Sequence, residues 1–151
     1  MSERTAPNRG ELARAQLTLQ ESDSKLERIR VLLAERRAER LELETHIHGI
    51  AASGDMDRLV ALQSRAVLVE KTIAELIASE EECAQRVESA RRYLYTLYVR
   101  LEKLRQEFSG LMRKLASADQ GDSVPGEVLT SIGRIKIQLK AITGENSTGR
   151  L

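Results

Sequence analysis

Three sets of side chains in this sequence are of types that could do chemistry. Glu44, His46, His48, Asp55 and Asp57 bring oxygen and nitrogen donors close together in the chain, the material of a divalent-metal site. Cys83 is the only thiol, a nucleophile wherever a base can activate it. The stretch RRYLYTLYVRLEKLR, residues 91–105, holds every tyrosine of the chain together with Arg91, Arg92, Arg100, Lys103 and Arg105. Tyrosine beside arginine is the pairing that protein interfaces use, and that single-strand nucleic-acid grooves also use.

The first two sets weaken once they are placed on helices. Glu44 and His48 are four residues apart and share a face, whereas His46 and His48 point to different faces, so the pair is poorly spaced for one metal ion. Solvated turn residues are the plainer account, and neither a metal nor a cofactor is expected. Cys83 falls on a repeating apolar seam between Leu and Val positions, where a thiol packs and stays inert. No Walker loop, GxGxxG, HExxH or nucleophile elbow is present. No catalytic residue is therefore assigned, and the chain is expected not to be an enzyme.

Composition indicates what carries these residues. Aromatics are 3% of the chain, tryptophan is absent, 31% of residues are charged and only two are proline, which is the usage of long helices. Twenty-four basic residues against twenty-three acidic ones leave no global field toward nucleic acid or acidic membranes. A single cysteine and the lack of any long uncharged apolar run fit a cytoplasmic chain. In that setting the sequon at Asn146 has no meaning.

Apolar residues at alternating steps of three and four run from Leu12 through Leu19, Leu26, Leu33, Leu43, Ile47 and Ile50, interrupted by Ser22, Arg36 and Arg40. This predicts a first helix ending near Gly49 to Ala52, followed by a reversal at Ser53-Gly54-Asp55. A second heptad register continues unbroken from Leu59 to Ala118 except at Glu80, long enough for a coiled coil. Residues 119–125 break it. Val128, Ile132, Ile135, Leu139 and Ile142 then repeat the spacing over 126–143. The expected fold is all-α: a long antiparallel coiled-coil hairpin over 11–118 with its turn near 50–55, and a third, shorter helix packing back on the far end of the long one. Residues 1–10 and 144–151 are expected to be disordered.

A turn centred between Ala52 and Ser53 sets residue n of the first helix against roughly residue 105 minus n of the second. Glu80 then falls near Lys25, Arg36 near Glu70, and Leu12 near residue 93. The same logic at the second turn places Val128 near residue 116 and Ile142 near residue 102. Residues 93 to about 101 are left uncovered by either short helix. Tyr93, Tyr95 and Tyr98 lie in that window, so Arg91, Arg92, Tyr93, Tyr95, Tyr98, Arg100, Lys103 and Arg105 are assigned as a partner-binding surface. The structural alternative is that the tyrosines close the core where three helices meet.

The hairpin with His48, Asp55 and Asp57 at its tip resembles the bacterial factors that insert a coiled-coil hairpin into the secondary channel of RNA polymerase, with Asp55 and Asp57 as tip acids. Its length also resembles the small stalk proteins of flagellar and type III export ATPases. Either resemblance implies a regulator of a larger enzyme or machine and covers the hairpin alone. Apolar residues outside the seam, among them Leu17, Val31, Leu32, Leu41, Val60, Val67, Leu68, Ile77 and Val99, exceed what a lone hairpin needs. Self-association follows, most simply a dimer forming a four-helix bundle. The expected function is a non-enzymatic coiled-coil interaction or scaffold protein with a protein partner. The alternatives are the hairpin-tip regulator and, on the local basic excess of residues 86–114, a nucleic-acid-binding rod.

Overall fold

The computed structural model of the chain describes residues 10–118 and 126–144. The loop at 119–125 and the ends expected to be disordered lie outside the described residues, except for Gly10 and Gly144. Among the described residues three helices form: α1 over Glu11–Ser53, α2 over Met56–Ala118 and α3 over Gly126–Thr143. The fold is all-α; α1 and α2 pack as a hairpin, and α3 packs back on it. Every buried hydrophobic side chain among the described residues lies on the heptad seam, and none of the buried side chains is polar or charged.

Two compact units divide the chain. The turn unit, Glu21–Glu88, holds one core of Leu33, Leu43, Val69 and Ile73, edged by Leu62, Ala66 and Leu76. Arg36 and Arg40 interrupt this seam without burying a charge. Arg36 donates to Glu39 at 2.6 Å, Glu39 also receives Arg65 from α2, and Arg40 reaches Glu70 at 3.4 Å. Both arginines are partly exposed, and their guanidinium groups find carboxylate partners instead of being buried unpaired.

The turn itself is two residues long. Gly54 adopts φ +80°, the left-handed conformation that ends a helix and that a side chain resists, and its amide still bonds the carbonyl of Ile50 at 3.2 Å. Asp55 follows as the N-cap of α2, its carboxylate accepting the amide of Arg58 at 3.3 Å. Helix α1 thus runs through Ser53, past its expected end.

That extension shifts the register. Glu80 meets Arg30 at 3.4 Å instead of Lys25, and Glu70 meets Arg40 instead of Arg36. Both moves are four to five residues in one direction, just over one helical turn. Centring the turn two residues later moves the facing residue by about four, because both strands of the hairpin slide.

The three-helix unit comprises the start of α1, the part of α2 from Ser89 onward, and α3. Its core joins Leu101 and Leu104 of α2 to Ile135, Leu139 and Ile142 of α3, with Leu12, Phe108 and Leu111 packed against it. Here the expected register holds: Ile142 shares this core with Leu101, and Gln138, Arg134 and Ser131 line one groove with Glu107, Leu111 and Lys114. The end of α3 also meets the start of α1. Gly10 and Gly144 are both buried, and a Cβ on Gly10 would collide with the carbonyl oxygen of Ile142 and the amide nitrogen of Gly144. Gly144, at φ +99°, closes α3, its N–H donating a hydrogen bond to the carbonyl oxygen of Lys140 at 2.8 Å.

Candidate functional site

The aromatic segment of α2 belongs to the three-helix unit, and its surroundings differ from the expectation in one respect. The seam beneath the tyrosines is covered. Leu97 is 0% exposed and Leu101 4%, so no window opens between α1 and α3. The register shift is the cause: α1 begins opposite Arg100, where Glu11 approaches it at 3.9 Å, and Gln16 donates to the hydroxyl of Tyr98 at 3.0 Å. With α1 reaching that far and α3 ending beside Gly10, the two short helices meet over the seam.

The tyrosines are nevertheless exposed, Tyr93 50%, Tyr95 70% and Tyr98 46%. Their helical positions account for this. Leu94, Leu97 and Leu101 take the seam, Tyr93 and Tyr98 fall on opposite edges of it, and Tyr95 lies toward the outer side. An edge position suits a tyrosine, whose ring is apolar and whose hydroxyl can reach a polar group at the rim, as that of Tyr98 does in accepting from Gln16. Val99 is 48% exposed on the same outer side as Tyr95. Arg91, Arg92, Arg100, Lys103 and Arg105 are all exposed around them. The structure therefore gathers these sequence-assigned residues along one short stretch of α2, distributed over its edges and outer side, rather than in a cleft.

The groove beyond them, lined by Arg105, Phe108, Ser109, Met112, Arg113 and Leu139, is where α2 and α3 pack as a pair. Met112 is 41% exposed there. The sequence reading did not single out this groove, because Met112 lies one residue beyond a seam position and gives no signal of its own.

At the turn, His48, Asp55 and Asp57 are exposed. Asp55 is committed to the cap of α2, so its carboxylate points at the helix amides rather than outward. Asp57 occupies the first turn of α2, where an acidic side chain favours the helix dipole. Among the described residues no three of His, Cys, Asp and Glu are gathered as a metal ion would require. Cys83 is buried in the seam, in a small pocket that Glu21, Ser22, Lys25 and Arg86 also line.

No protein family, curated protein or solved structure matches this chain. Among the described residues no helix is long and apolar enough to cross a membrane.

Proposed function

We propose that the protein is a non-enzymatic coiled-coil interaction protein, assembling through its helices with itself and with a protein partner. It docks that partner through Arg91, Arg92, Tyr93, Tyr95, Tyr98, Arg100, Lys103 and Arg105. One observation carries the docking site: the seam under the tyrosines is already full, with Leu97 wholly buried, while the three tyrosines stay 46–70% exposed. Aromatic area that the fold does not consume is available to another chain, and Tyr with Arg is the composition of interface hot spots. The grooves lined on α2 and α3 are open to solvent, which does not favour chemistry that needs water excluded.

The test is affinity capture from native lysate with the wild type and a variant carrying Tyr93→Ser, Tyr95→Ser and Tyr98→Ser. Helicity and mass are expected to stay unchanged and one partner to be lost selectively. Retention of every partner, or early melting of the variant, would remove the docking assignment.

A further inference from the structure

We infer that the groove between α2 and α3 beside Met112 is a docking site of its own, and that it takes an acidic amphipathic helix from another protein. It shares only Arg105 with the tyrosine surface and stands independently of that assignment.

Apolar area stays open here after the two helices have packed. Leu139 and the half-buried Phe108 form the floor, Met112 is 41% exposed in the wall, and the groove holds about 560 Å³. The phase of α3 supplies the other wall. Ile132, Ile135, Leu139 and Ile142 turn inward, and Ser131, Arg134 and Gln138 line the groove on the opposite side of that contact, with Glu107 and Lys114. At about 100° per residue, Leu129, Lys136 and Lys140 therefore fall on the Met112 side. All three are exposed, Leu129 at 54%.

The charges select the occupant. Arg105 and Arg113 stand along the α2 wall and Lys136 and Lys140 along the α3 wall, so four cations flank an apolar floor. The carboxylates of these segments lie elsewhere. Glu107 lines the other groove, Glu127 falls on the same edge of α3 as Arg134, and Glu102 points outward, accepting from Gln106 at 3.4 Å. From Arg105 to Ala116 the groove runs about 18 Å, three turns of a helix. A partner helix with an apolar stripe fills the floor and sets its carboxylates against both walls. Single-stranded nucleic acid is less suited, because the groove's one ring, Phe108, is partly buried and offers no stacking platform. A bilayer surface does not enter a groove. A second copy would bring the acidic stretch of Glu75, Glu81 and Glu82, whose outward face offers one large apolar side chain, Ile77, too little for this volume.

Fluorescence anisotropy tests this with the full chain and a labelled peptide of about five helical turns, leucine along one face and glutamate along the other. That peptide is expected to bind, and neither a scrambled peptide of the same composition nor one with lysine for glutamate should do so. Arg113→Glu with Lys136→Glu, one change on each wall and both outside the tyrosine surface, is expected to leave helicity intact and weaken binding at least about tenfold. Met112→Glu should weaken it about fivefold, while Lys114→Glu, in the other groove, should change nothing. Failure of the peptide to bind, equal binding of the scrambled one, or binding that survives the Arg113 and Lys136 changes overturns the site. With the peptide unbound, single-stranded DNA or phosphatidylserine vesicles captured by the wild type but not by the double variant would replace the helix by that occupant. A wild-type oligomer that the double variant dissolves would replace it by a second copy. Each of these outcomes leaves the tyrosine docking site to its own capture test.

Discussion

Asp55 carries a consequence out of proportion to its position at an exposed turn. Its carboxylate satisfies an amide that α2 would otherwise leave open, and it follows the one residue of the turn, Gly54, with positive φ. Asp55→Ala is expected to lower stability by about 1 kcal/mol in urea denaturation, whereas Asp57→Ala should change it by less than about 0.5 kcal/mol. Glu39 supplies a second test. The Arg36 guanidinium, and then that of Arg65, hold its carboxyl below the ordinary value of 4.5. A folded-state pKa below the unfolded one gives stability that is complete above 4.5 and lost as the pH falls through the lowered value. The stability difference between wild type and Glu39→Gln should therefore be present at neutral pH and close as the solution is acidified below 4.5, with the wild type losing its advantage.

The helices were legible because their spacing is strict. All buried hydrophobic residues sit on positions that alternate by three and four, and α3 was bounded correctly at 126–143. The end of α1 was less legible. Gly49, Ala51 and Ala52 near it carry no strong stop signal, while Gly54 and Asp55 supply a positive φ and a cap that let the helix continue through Ser53. A two-residue change at the turn becomes a change of over one helical turn in partner, and this can be measured. A double-mutant cycle on Arg40 and Glu70 should give a coupling of about 0.2 to 1 kcal/mol, and the cycle on Arg36 and Glu70 should give none. Coupling in the second cycle alone would return the hairpin to the register expected from sequence.

For the molecule as a whole, the balance of charge bears on the nucleic-acid alternative. With a formal net charge of +1, any attraction to a polyanion must come from the segment around Arg91 to Arg105, where Glu11 already engages Arg100. Binding of labelled single-stranded DNA, followed by fluorescence anisotropy, is expected only at low salt and to vanish near physiological ionic strength. Tight binding that persists there and falls on Arg105→Ala would favour the nucleic-acid reading over the protein-partner one.

The all-α class, the hairpin, the third helix and the gathering of tyrosine and arginine at 91–105 are properties of periodicity and composition, and the sequence alone determined them. Side-chain spacing on a helix is a local quantity, so it needs no knowledge of the neighbours. Which residues face one another is not local. Tertiary structure decided that Leu97 is sealed and that the tyrosines are exposed by their place around α2 rather than by a gap along it. It also brought Gly10 against the end of α3, a backbone approach that only a residue without a Cβ permits and that no pattern in either segment announces.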